Sequence, residues 1–358
     1  MLGSTLAVNR RRLTTALIAS FVAVTLGESL AAQGATVPPG EPARFLSKYI
    51  GLSPSEIEQA RKGEVVTKVL NAPDRDEVAL FGIVAVNASR DDVMKRVRDL
   101  PTFLRAPGRT AFGMFSTPAV ATDVSAFAVD GSDFDVIKGC RPGECDVKMP
   151  AKNIEAFGKE IDWSSPTARA QVENMVRRES AVYVNNYRRG GTAAMVAYGD
   201  QKETRSASDI FKGLLAESPY LFDYVPTFHK YLEAYPGGSL PDVADAVYWS
   251  NDKMGSMRPI LSINHVSIFS PANAALSLIS AKQLYASHYF LGAFTLTTIL
   301  DRPDAPTGRG VYYIVVQRMR FDHLPGGLLN IRGRVIGRTH DALRAELQQR
   351  KTSLEGPG

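Results

Sequence analysis

The chain is poorly supplied with the residues that do metal or nucleophilic chemistry. It has two cysteines, two tryptophans and five histidines in 358 residues. No HxH pair, HExxH run or carboxylate-spaced cluster gathers the three or more ligands a metal needs. There is no GxSxG nucleophile elbow and no phosphate-binding GxxxxGK[ST] loop. GMFSTPA and WSSP contain serines but lack the elbow. No neighbouring carboxylates form a defensible acid and base. The expectation is therefore no metal, no cofactor and no recognisable reaction centre. Charge is also scarce in net terms. The formal charge of +5 is too weak to argue for nucleic acid as a partner.

Long apolar runs are absent after the first 26 residues, so no later membrane span is expected. The N-terminus itself is distinctive. Arg10, Arg11 and Arg12 precede an apolar run from Leu13 to Leu26, followed by small residues at Ser29 and Ala31. That is the pattern of a cleaved secretory signal peptide over residues 1–31. An uncleaved anchor is the alternative, but the run falls short of the roughly 20 residues that span a bilayer. Cleavage would lower the net charge to +3. Residues 32–41 are rich in Gly, Pro and Ala and read as a flexible mature terminus. The expected location is periplasmic or secreted.

An oxidising compartment changes how the two cysteines are read. Cys140 and Cys145 flank Pro142-Gly143 in GCRPGECD, and a tight turn there brings the sulfurs together. A structural disulfide is the leading reading. A redox-active pair and a metal site are its rivals.

Periodicity organises the rest. GEVVTKVLN and DEVALFGIVAVNA flank APDRD and read as a hairpin over 64–87. Ser89 caps a helix with Asp91 and Asp92 in its positive first turn. Residues 151–245 read as a mainly helical insertion, including SPTARAQVENMVRRESAVYVNNYRRGG. From Met257 to Arg320 run three β-rich segments: RPILSINHVSIFS, LYASHYFLGAFTLTTIL and GVYYIVVQRMRFD. A helix over 327–350 follows, with Leu328, Ile331, Val335, Leu343 and Leu347 on one stripe. Residues 352–358 read as a flexible tail. No linker divides the chain, so residues 42–351 are taken as a single α+β domain. Its predicted core is a curved antiparallel sheet gripping a long C-terminal helix.

This order of elements resembles the START/SRPBCC helix-grip superfamily. The likeness covers about 170 residues at the two ends of the chain and leaves out the helical middle. CRPGECDVKMP, VPTFHKYLEAYPGGSLPD and KQLYASHYF also resemble a group of exported bacterial proteins of unknown function, a likeness that carries no activity with it. The helix-grip resemblance implies an apolar cavity and a hydrophobic small molecule or lipid as ligand, bound and transported in the cell envelope. Two alternatives stay open. One is a periplasmic enzyme on such a molecule, with His288 or His265 as general base. The other is an envelope interaction protein without a ligand.

The candidate ligand-binding residues follow from strand alternation. His288, Phe290 and Phe294 share one face of LYASHYFLGAF, and Tyr285 lies on the other. His265 shares a face with Leu261, Ile263 and Phe269. Tyr312 or Tyr313 faces the cavity, with Tyr313 the nominee. Arg318, at the cavity mouth, suits a carboxylate or phosphate headgroup. Each has a plainer reading: core histidines bonded to backbone, packing aromatics, and an Arg–Asp pair at a strand edge. Tyr220, Phe222, Tyr224, Phe228, Tyr231 and Tyr235 read as core, or as a lid. The basic residues over 166–190 read as a solvated helix face, with a peripheral anionic-membrane contact as the other reading.

Overall fold

The computed structural model describes residues 41–356, apart from 220–222, 224, 254, 256, 307 and 326–329. Residues 1–31, expected to be a signal peptide, residues 32–40, Tyr220, Phe222, Tyr224 and Leu328 lie outside the described residues.

An eight-stranded antiparallel sheet organises the chain. Its strands are β1 (Val66–Leu70), β2 (Glu77–Val86), β3 (Arg109–Met114), β6 (Val243–Asp252), β7 (Ile260–Phe269), β8 (Leu276–Ala286), β9 (Phe290–Asp301) and β10 (Val311–Phe321), in the spatial order β1-β2-β10-β9-β8-β7-β6-β3. A small ribbon of β4 (Ala197–Tyr198) and β5 (Arg205–Ser206) lies apart. The helices are α1 (Glu41–Phe45), α2 (Pro54–Arg61), α3 (Arg90–Arg98), α4 (Leu100–Phe103), α5 (Gly131–Gly139), α6 (Ala151–Glu160), α7 (Ala168–Gly190), α8 (Ala207–Ala216), α9 (Pro226–Ala234) and α10 (Ile331–Glu355). The class is α+β, with a curved sheet, a C-terminal helix on it and a helical middle, as the sequence implies.

Both faces of the sheet are covered. On one, Val93, Met94 and Val97 of α3 and Leu343, Leu347 and Leu354 of α10 share a core with Leu80 and Val84 of β2 and Tyr313 and Val315 of β10. On the other face, Phe81, Ile83, Phe294, Leu296, Leu261 and Ile263 meet the helical middle through Val172, Met175 and Val184 of α7, Phe211 and Leu214 of α8 and Phe228 of α9. This explains why β2 is buried at every position. A strand covered on both sides has no polar face to display.

The C-terminal helix lies over β1 and β2, at one end of the sheet. Gly82 makes the close approach: a Cβ there would stand 2.4 Å from Leu347 Cδ1. Leu347 is fully buried, worth about 1.5–3 kcal/mol for a side chain of this size. The helix continues to Glu355, so residues 352–355, expected in the tail, are helical.

Three further expectations are corrected. Strand β6 lies partly inside the stretch read as helical insertion, because its first half is exposed and its sequence, VADAVYWSND, lacks a continuous apolar run. LYASHYFLGAFTLTTIL is not one strand: β8 ends at Ala286 and β9 begins at Phe290. His288 therefore lies in the connecting turn. Tyr289 there has φ 64°, a left-handed conformation that is costly for a bulky side chain. Finally, Phe321 pairs with Phe290 while Arg320 pairs with Gly292, so Leu291 is the extra residue of a bulge. The bulge reverses the facing of what precedes it. Phe290 packs on Phe321 on the α10 face, whereas Phe294 meets Phe211 on the other.

Candidate functional site

A cavity of about 400 Å³ lies between the sheet and the helical middle, on the face opposite α10. Its floor is Leu261 and Ile263 of β7 and Tyr285 of β8. Helix α7 contributes Val176, Glu179, Ser180, Tyr183 and Asn186, spaced as one helical stripe. Helix α5 contributes Asp133 and Ile137, and α6 contributes Asn153 and Phe157. Asp130 starts α5 by accepting from Ser132 N at 2.9 Å, which satisfies one of the free N–H groups of its first turn.

The segment Cys145–Met149 is a partition. Val147 and Met149 face the cavity, while Cys145, Asp146 and Lys148 line a polar groove on the other side. Backbone bonds fix it in place: Cys145 N donates to Asp200 O at 2.9 Å, Lys148 N to Ser287 O at 2.8 Å, and Gly199 N to Met149 O at 2.9 Å. The Cys140–Cys145 disulfide forms, with Cα atoms 4.8 Å apart. It joins the end of α5 to the start of the partition.

The nominated residues separate. Tyr285 lines the cavity, and its hydroxyl donates to Lys148 O at 2.6 Å. His288 is buried on the groove side, with Nε2 3.0 Å from Asp133 Oδ2. Its bond is to a carboxylate across the partition rather than to backbone. Phe290, Phe294 and Tyr313 are packed in the two cores and do not line this cavity. Arg318 does not present a free guanidinium. Its Nη1 donates to Glu77 Oε1 at 2.6 Å and to Glu217 Oε2 at 2.7 Å. Arg320 completes the cluster through Glu77 Oε2 at 2.8 Å. Burial, with the charge of Glu77 beside it, pushes the Glu217 carboxyl above its usual range.

His265 occupies a separate buried network. Its Nε2 lies 2.9 Å from Asp245 Oδ1, and its Nδ1 2.8 Å from the Tyr187 hydroxyl. Tyr231 and Ser267 also donate to Asp245. The carboxylate accepts, so Nε2 carries the proton and Nδ1 accepts from Tyr187. Burial pushes His265 below its ordinary value. Next to it, Lys282 is 3% exposed and is pushed down to about 7 by burial. Its amine donates to Thr192 Oγ1 at 2.8 Å and lies 4.0 Å from the Phe211 ring centre. The network ties α7 and α9 to the sheet, and none of these side chains lines the cavity.

Asp133, Ser180 and Lys282 escaped the sequence reading. Each is one polar residue among several on its helix or strand, with nothing in the sequence to single it out. Only the α7 stripe carried a signal, as a helical face that is neither wholly apolar nor wholly polar. Among the described residues, no group of three or more His, Cys, Asp or Glu is gathered as for a metal. No described helix is long and apolar enough to cross a membrane. Comparison with family models, curated proteins and solved structures finds no match.

Proposed function

We propose that the protein binds a hydrophobic small molecule in the 400 Å³ cavity, in the cell envelope. The observation that carries this is a mainly apolar cavity with few polar groups, within the range of about 300–1,000 Å³ usual for ligand sites. The cavity lies toward the lower end of that range. That suits a compact ring system or a short chain and is far short of a two-chain lipid. The envelope location rests on the Arg10–Leu26 pattern and is supported by the disulfide.

Titration with N-phenyl-1-naphthylamine, a neutral dye that fluoresces in apolar surroundings, tests the reading. One molecule should bind per chain, and Ala194→Trp, at the cavity wall, should abolish uptake while leaving the circular dichroism spectrum unchanged. Absence of binding to the native protein, or equal binding by the folded variant, would refute it.

A further inference from the structure

We infer that the ligand is uncharged where it is buried and carries one hydroxyl or carbonyl that meets Ser180. This rests on the proposed binding function and narrows it to a ligand class. The hydroxyl groups in the wall carry it, since the amides of Asn153, Asn186 and Asn251 there are half-buried rather than buried. The Tyr183 hydroxyl is used twice, donating to Leu284 O at 2.7 Å and accepting from Val196 N at 3.1 Å. Tyr285 donates to Lys148 O. Ser287 Oγ accepts from Leu261 N at 3.0 Å. Ser180 is 8% exposed, lines the cavity, and makes no side-chain hydrogen bond to the described residues. That hydroxyl is left free to pair with a ligand oxygen, which would otherwise lose its own water partner on entering the cavity.

Charge is treated differently. The buried ionisable residue in the wall is Asp133. One of its oxygens takes the His288 bond. The other is sealed from solvent and lies 3.7 Å from Arg258 Nη1. The carboxylate is thus already held by its own partners, His288 and Arg258, and offers no exposed oxygen to a ligand cation. Lys152, Asp130 and Glu179 belong to the more exposed rim. An ionic group inside would lose its hydration with nothing to replace it.

The test uses one ring system in three charge states to displace N-phenyl-1-naphthylamine at pH 7.5: 2-naphthol, 2-naphthoate and 2-naphthylmethylammonium. 2-Naphthol should displace the dye at a concentration at least about tenfold below either ion. Ser180→Ala should weaken 2-naphthol by about fivefold and leave naphthalene unchanged, while Ser180→Thr should retain most of the affinity. Either ion competing as well as 2-naphthol would overturn the inference, as would an unchanged 2-naphthol affinity in Ser180→Ala. Both results would leave the binding function standing. Failure of the dye itself to bind would remove the binding function and the inference with it.

Discussion

Replacing Lys282 with methionine should stabilise the protein, and by an amount that depends on pH. Methionine has nearly the same length and no charge to desolvate. The amine titrates near 7 in the folded chain, against an ordinary value of 10.5. Between these values the unfolded chain binds the proton and the folded chain does not. Stability therefore rises with pH across that window, by up to about 1.4 kcal/mol per unit from this one group. Relative to an unperturbed lysine, the cost is about 4 kcal/mol at pH 7 and about 2 kcal/mol at pH 9. The bond to Thr192 is worth about 1 kcal/mol. Lys282→Met should thus gain about 3 kcal/mol at pH 7 and about 1 kcal/mol at pH 9. Urea unfolding of both proteins at the two pH values reads the difference directly. A gain that stays the same at both, or a loss at both, would show that the amine is not desolvated as described.

Other substitutions probe the remaining features. Gly82→Val should cost about 2 kcal/mol by pushing on Leu347, and Leu347→Ala in the same chain should cost less than the two changes summed, as urea unfolding would show. Arg318→Met should lose about 3–5 kcal/mol by leaving Glu77 and Glu217 short of a cation, with part recovered by adding Glu217→Gln; thermal unfolding checks both. Cys140→Ser with Cys145→Ser should lower stability by about 2 kcal/mol, the small value expected for so short a loop, measured by denaturation with and without reductant.

The legible parts of the fold are those with a local signal. The hairpin at 66–86 and the Ser89-capped helix declare themselves through alternation and capping. The C-terminal helix is readable from Leu343 and Leu347, although its end is easily placed early because Thr352 and Ser353 are weak helix formers. The turn at Ser287–Tyr289 is not legible. It has no Gly, Pro or Asn, and Tyr289 takes the left-handed conformation that those residues usually mark. Without that turn, alternation carries His288 and Phe290 onto the wrong surroundings. The cavity is less legible still, since its wall joins α5, α6, α7, β7 and β8 across more than 100 residues of sequence. Asp133 and His288 meet only after folding. Arg318 looks like a free headgroup ligand in the sequence because its partners, Glu77 and Glu217, are distant in the chain.

The partition at Cys145–Met149 gives neighbouring residues separate duties. Valine and methionine at 147 and 149 set the shape of an apolar chamber, while aspartate and lysine at 146 and 148 set the charge of the groove behind it. The segment bends at Asp146–Val147, and its side chains leave on two sides within five residues. The two sets can then drift under different selection, one answering to the ligand and the other to whatever the groove meets. Exchanging Val147 with Lys148 would mix the two vocabularies, placing a lysine in the greasy chamber and a valine in the groove.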